Sequence, residues 1–198
     1  MRRTLVPALA AVLLLSVGGC SSDDESSKPG ENAETGSPSE TSGAAKQPRM
    51  KVSKVETETI KDDALGHTIN ATRIVRNFPF PASMSGAEEG GDAELVLVHV
   101  EAKAGKDFVA LTDGDFRLST EKGDPEGAVS TTMAETEMTD AGYKPFAQVD
   151  QGKSGRGWIA FILEGATDGP LFLSYKRLEF DNGEIPEKVV TVPLTPVG

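Results

Sequence analysis

The stretch Glu94-Leu-Val-Leu-Val-His-Val-Glu-Ala-Lys103 decides the fold class. Val96, Val98, Val100 and Ala102 fall on one face and Leu95, Leu97, His99 and Glu101 on the other, the period of two that belongs to a strand. β-Branched residues dominate the run, and Gly90-Gly91-Asp92 and Gly105-Lys106-Asp107 bracket it with turn formers. Further along, Arg156 to Leu163 sets Trp158, Ala160 and Ile162 against Ile159, Phe161 and Leu163, so both faces are apolar. That predicts a central strand covered on both sides. A third strand is predicted from Leu171 to Phe180 and a last one over Lys188 to Val192, closed by Pro193 and Pro196. The turn formers Asp181-Asn182-Gly183-Glu184 between them predict an antiparallel pair.

Met50 to Ile60, His67 to Val75 and Phe116 to Thr120 add three more strands. The sum is about seven strands with turn signals between them and no long amphipathic helix, the pattern of an all-β antiparallel sandwich. The pattern leaves Ala128 to Tyr143 open between a short helical turn around Thr132 to Glu137 and a long loop.

The ordered set "ELVLVHVEAKAG" (94–105), "FVALTDGDFRLSTEKGD" (108–124), "QGKSGRGWIAFIL" (151–163) and "GPLFLSYKR" (169–177) resembles the telokin-like, immunoglobulin-like domain of Gram-positive extracellular lipoproteins. The resemblance runs from about Met50 to Leu194, and its motifs are structural. It implies an immunoglobulin-like β-sandwich and brings no catalytic residue. The acidic region Ala128 to Thr139 and the edge near Ala64 to Ser83 have no counterpart in that pattern.

The start of the chain says where the domain is expected to live. MRRTLVPALAAVLLLSVGGC places two arginines before an apolar run of roughly a dozen residues, too short to span a bilayer, and then small residues. Residues 1–19 read as a lipoprotein signal peptide. Val17-Gly18-Gly19-Cys20 resembles a lipobox, with Val17 where Leu is favoured, and Cys20 is the single cysteine of the chain. Diacylation of Cys20 would anchor the protein to the outer, extracytoplasmic face of the membrane. With no second cysteine there is no disulfide, so the core alone must hold the domain. Residues 20–47 are rich in Ser, Gly and Glu and lack aromatic and large aliphatic side chains, the composition of a disordered tether with a reach of roughly 30 Å. Residues 48–198 remain for one domain. The net charge is −11, and loss of Arg2 and Arg3 with the signal takes it to −13, which argues against binding nucleic acid or anionic lipid through charge.

Candidate chemistry is thin. Gly152-Lys153-Ser154 ends like a P-loop, but Ala147 stands where the first glycine belongs and a strand follows where a helix is needed to hold phosphates. Gly152, Gly155 and Gly157 are read instead as backbone permissions for a tight turn, with Lys153 exposed and Trp158 buried. The two histidines, His67 and His99, come with no G-x-S-x-G or H-E-x-x-H and read as packed or partly exposed structural residues. Asp113-Gly114-Asp115, with Glu121, Asp124 and Glu126 nearby, lacks the full calcium loop and reads as solvated turn acids rather than a calcium site. Asn70-Ala71-Thr72 fits a glycosylation sequon that a bacterial lipoprotein leaves idle. No catalytic, cofactor-binding or metal residue is assigned, no cofactor is expected, and Cys20 is the one site residue.

The reading is a non-enzymatic lipoprotein, held to the membrane by lipid on Cys20 and displaying a binding domain to an unknown extracellular protein or ligand. The alternatives are a solute-capturing or hydrolytic envelope lipoprotein and a structural spacer. Loops 76–92, with Phe78-Pro79-Phe80-Pro81, and 128–149, with Tyr143, Pro145 and Phe146, are the candidate display elements, their aromatic-proline groups expected to be packed plugs.

Overall fold

The computed structural model describes residues 50–86, 93–107, 109–120, 127–165 and 169–197. The signal peptide, Cys20, the tether, and the acids Glu121, Asp124 and Glu126 lie outside the described residues. Among the described residues there are nine strands and one α-helix longer than a turn. The strands are β1 (Val52–Glu56), β2 (Ile60–Asp62), β3 (His67–Phe78), β4 (Glu94–Lys103), β5 (Phe116–Ser119), β6 (Ala128–Val129), β7 (Ser154–Leu163), β8 (Leu171–Arg177) and β9 (Lys188–Pro196). Helix α1 is Thr131–Asp140.

The fold is all-β, as the alternation predicts, and every strand pairing is antiparallel. The order is β5-β8-β9-β1-β3-β4-β7-β6, with β2 added to β3. Strand β1 joins the two halves of this sheet: Val52 to Lys54 pair with β3, and Val55 and Glu56 pair with β9. The sheet folds over at β1, and its two ends meet at a bridge between Leu118 and Gly127. A flattened, closed sandwich results, with fewer exposed sheet edges.

Two cores follow from the two faces of β4 and β7. The inner face carries Val96, Val98, Val100, Ile159 and Phe161 against Phe116, Leu118, Leu173, Tyr175 and Val192 of the other layer. The outer face carries Leu95, Leu97, Trp158 and Ala160 against Ala134 and Met138 of α1, together with Val75, Phe78 and Met84. This second core is why β7 reads as apolar on both sides.

Several boundaries differ from the sequence reading, each for a local reason. The segment Met50 to Ile60 is two strands, because the chain leaves β3 after Lys54 and returns at Ile60. The strand beginning at His67 runs on to Phe78. The third predicted strand stops at Arg177, three residues before Phe180. Strand β9 continues through Pro193 to Pro196, because over Lys188 to Leu194 its ladder lies with β8 on one side only, where a missing N–H costs little. The predicted hairpin is present, and Asp181, Asn182 and Gly183 all take positive φ, which these residue types tolerate best. The region left open between turn and loop is the helix α1. Its end is set by Gly142 at φ +85°, with the Tyr143 amide donating to the Met138 carbonyl at 2.7 Å.

The glycines before Trp158 are corrected as well. Gly152 is a turn residue at φ +69°, but Gly155 and Gly157 lie inside β7. Their role is close approach: a Cβ on Gly157 would meet the Phe146 Cα at 2.5 Å, and one on Gly155 would meet Val149 Cγ2 at 2.6 Å. Segment 145–149 thus lies directly against the strand. Trp158 is buried and Lys153 is exposed, as expected.

Candidate functional site

The outer face of β3, β4 and β7 changes character along its length. At one end its side chains are Val75, Leu95, Leu97, Trp158 and Ala160, roofed by α1. At the other they are Thr68, Asn70, Glu101, Lys103, Ser154 and Arg156, which line an open groove of about 430 Å³. The register aligns the change on all three strands: Glu101 pairs with Asn70 and Arg156, and Lys103 with Thr68 and Ser154. Helix α1 therefore covers only half of this sheet face, and the uncovered half is polar.

The boundary is built around His99. A register shift between Ala71 and Arg73 changes the phase of β3, so that Thr72 and Arg73 both reach toward His99 and Trp158. The Thr72 hydroxyl is 2.7 Å from His99 Nδ1, the His99 ring packs edge-on against Trp158 at 5.1 Å, and the Arg73 guanidinium lies over the Trp158 ring at 5.3 Å. Burial holds the His99 pKa below its ordinary value, and the Arg73 charge adds to this while Glu101 opposes it. Arg73, Glu101, Lys103 and Arg156 themselves are exposed.

Beyond the polar half, the sheet rests on a buried charge network. Asp62 on β2 accepts from the Arg177 guanidinium and, at 3.1 Å, from the Tyr175 hydroxyl, both on β8. Arg177 also donates to the Pro186 carbonyl at 2.7 Å. His67 accepts the Gly105 amide at Nδ1, 2.9 Å away, and its ring packs edge-on against Tyr175. Burial pushes the His67 pKa down and the Tyr175 pKa up, the latter reinforced by the Asp62 charge. The network ties the two layers together from inside, and none of its four side chains is exposed.

His67 and His99 are thus packed residues, as the sequence reading has them, and the structure sets them at separate places. Asp113 to Asp115 form a turn in which Asp115 accepts from the Thr112 amide at 2.7 Å and is pushed toward protonation by burial, so this acid caps its own turn. Asn70 of the sequon lies inside β3, where it accepts a hydrogen bond from Thr59 at 2.7 Å. Segments 76–92 and 128–149 meet through their aromatic residues: Phe78, the last residue of β3, and Tyr143 pack edge-on at 5.8 Å, and Tyr143 meets Trp158 at 5.1 Å. Phe146 goes to the inner core instead, 5.9 Å from Phe116. The groove itself was missed by sequence reasoning. Its signal is the switch from apolar to polar at alternate positions of three strands, which becomes visible only once the register is known.

A second recess of about 360 Å³ opens at the seam where β1 changes partner, lined by Val55, Ile74, Leu171, Pro193 and Leu194 among others. At its rim Arg76 pairs with Glu94 at 2.5 Å.

No family model matches the chain, and no curated protein does. Two solved structures align with it. One is a "putative lipoprotein (ycdA)" of Bacillus subtilis, 16% identical, with a TM-score of 0.46 over 67% of this chain and 37% of that one. The other is a "functionally unknown protein" of Listeria monocytogenes, 12% identical, with a TM-score of 0.48 over 75% of this chain and 86% of that one. The chain spans well under half the length of the Bacillus protein it aligns with.

Proposed function

We propose that the chain is a lipoprotein of the cell envelope, anchored through acylated Cys20, whose β domain is a non-enzymatic interaction module with the open half of the β3-β4-β7 face as its binding surface. One observation carries the choice of surface: α1 roofs half of a rigid sheet face and leaves the other half as an open groove lined by polar side chains. The paired strands hold the backbones of these groups at fixed spacing, so binding here orders side chains only, where a loop would have to order its backbone as well. The immunoglobulin-like resemblance belongs to the same reading, supported by antiparallel strands in two layers over a filled core.

The anchor and the surface are tested separately. Fractionation of cells producing Cys20→Ala is expected to move the protein off the membrane, and retention there would overturn the anchor. A photo-reactive phenylalanine at Ser154 is expected to crosslink to an envelope component, and the same group at Val189 on β9 is not. Equal crosslinking from both positions, or none from Ser154, would overturn the surface.

A further inference from the structure

The open half-face differs in charge from the molecule that carries it. Against a net charge of −11, the exposed ionisable side chains of β3, β4 and β7 on this half are, among the described residues, Arg73, Lys103, Arg156 and Glu101, with Lys54 of β1 opposite Arg73 and Lys61 of β2 opposite Thr68. Arg73 and Arg156 are both close enough to His99 to depress its protonation. Between these cations stand neutral hydrogen-bonding groups, Thr68, Asn70 and Ser154.

We propose that this face binds a polyol phosphate chain, Arg73, Lys103 and Arg156 pairing with successive phosphates while Thr68, Asn70 and Ser154 meet the hydroxyls between them. The inference rests on the half-face being the binding surface. Charge complementarity selects an anion. Spacing selects a chain: Lys103 is four residues along β4 from His99, about 13 Å between backbones at the usual strand rise, and the Arg73 guanidinium is held over Trp158 at the His99 level, so a phosphate met there leaves Lys103 for another. The lining selects a polyol over a nucleic acid. Single-stranded bases need exposed aromatic platforms, and the Trp158 ring beside this groove is buried beneath Arg73.

The test uses the chain from residue 20 onward with Cys20→Ser, so that no lipid contributes. The probes are poly(glycerol phosphate), neutral dextran, a single-stranded oligonucleotide and anionic phospholipid vesicles, measured by calorimetry or co-sedimentation at low and physiological salt. Poly(glycerol phosphate) is expected to bind, more weakly as salt rises, and Lys103→Glu with Arg156→Glu to lower its affinity at least tenfold with an unchanged thermal melt. Undiminished binding by that double variant would overturn the proposal, as would equal or tighter binding of the oligonucleotide or the vesicles. Dextran binding that survives the charge reversal but is lost in Asn70→Trp would overturn the polyol phosphate and keep the surface. Indifference of every probe to both variants would overturn the proposal and count against the surface as well.

Discussion

The hydroxyl of Thr57 donates to the Ala71 carbonyl at 3.2 Å and accepts from the Ala71 amide at 3.3 Å. One side chain thereby does what a strand would do. Between Lys54, where β1 leaves β3, and Ile60, where β2 joins it, β3 has no neighbouring strand on that side, and Thr57 fills the gap. Thr57→Val keeps the shape and removes both bonds, and is expected to cost about 1–3 kcal/mol in urea unfolding, with Thr57→Ser losing less. Equal stabilities of all three proteins would refute this role.

Asp62 and Arg177 form a buried pair across the two layers, with side-chain exposures of 0% and 4%. Removing one partner leaves the other charge buried alone, so Asp62→Ala is expected to destabilise by about 3–5 kcal/mol. The double change Asp62→Leu with Arg177→Met is expected to recover most of that loss, since no charge then remains inside. A double variant as unstable as the single one would show that packing, not charge, is at stake.

His67 and His99 give stability a pH dependence with a definite sign. Burial is the main cause holding both below 6.5; for His67 the charges of Asp62 and Asp115 oppose it, and Arg177 adds to it. The unfolded chain therefore takes up these protons first. Their contribution is present above about pH 6.5 and is lost as pH falls through the lower folded values. Asp115 has the opposite sign: its raised pKa favours the fold at low pH, and that contribution is lost as pH rises from 3.8 through the folded value. Urea midpoints are expected to drop below pH 6.5, and His67→Gln with His99→Gln to flatten that drop. A slope unchanged by the double variant would remove the histidines as its source.

Gly157→Ala sets a Cβ against the Phe146 backbone, whereas Gly155→Ala sets one against a Val149 methyl. Backbone yields less than a side chain, so Gly157→Ala is expected to be the worse, by about 1–3 kcal/mol or more. Trp158, next in sequence and buried, supplies the fluorescence signal for both unfolding curves. A smaller loss at Gly157 than at Gly155 would contradict the packing described.

How much of this was legible in the sequence depends on the residue. The phases of β4 and β7 are written in their alternation, and the last hairpin in Asp181-Asn182-Gly183. Helix α1 was legible only as a turn around Thr132 to Glu137, set beside a loop, because Thr131, Thr132, Thr136 and Thr139 are weak helix formers and only Thr131, Ala134 and Met138 are buried. The bulge in β3 leaves a trace, since buried Ile69 and Ala71 are followed by Ile74 rather than by an apolar residue at 73. Reading it requires the pairing with His99. The groove depends on register across three strands, a property of their pairing that no single strand contains.

Strand β1 has a mechanical consequence. The residues that precede the domain lead into Val52, so tension applied from that side falls first on five residues that hold β3 with one end and β9 with the other. Load entering at Val52 meets the pairs of Val52 to Lys54 with β3 before those of Val55 and Glu56 with β9. Five residues therefore stand between that end of the chain and the seam where the two layers join.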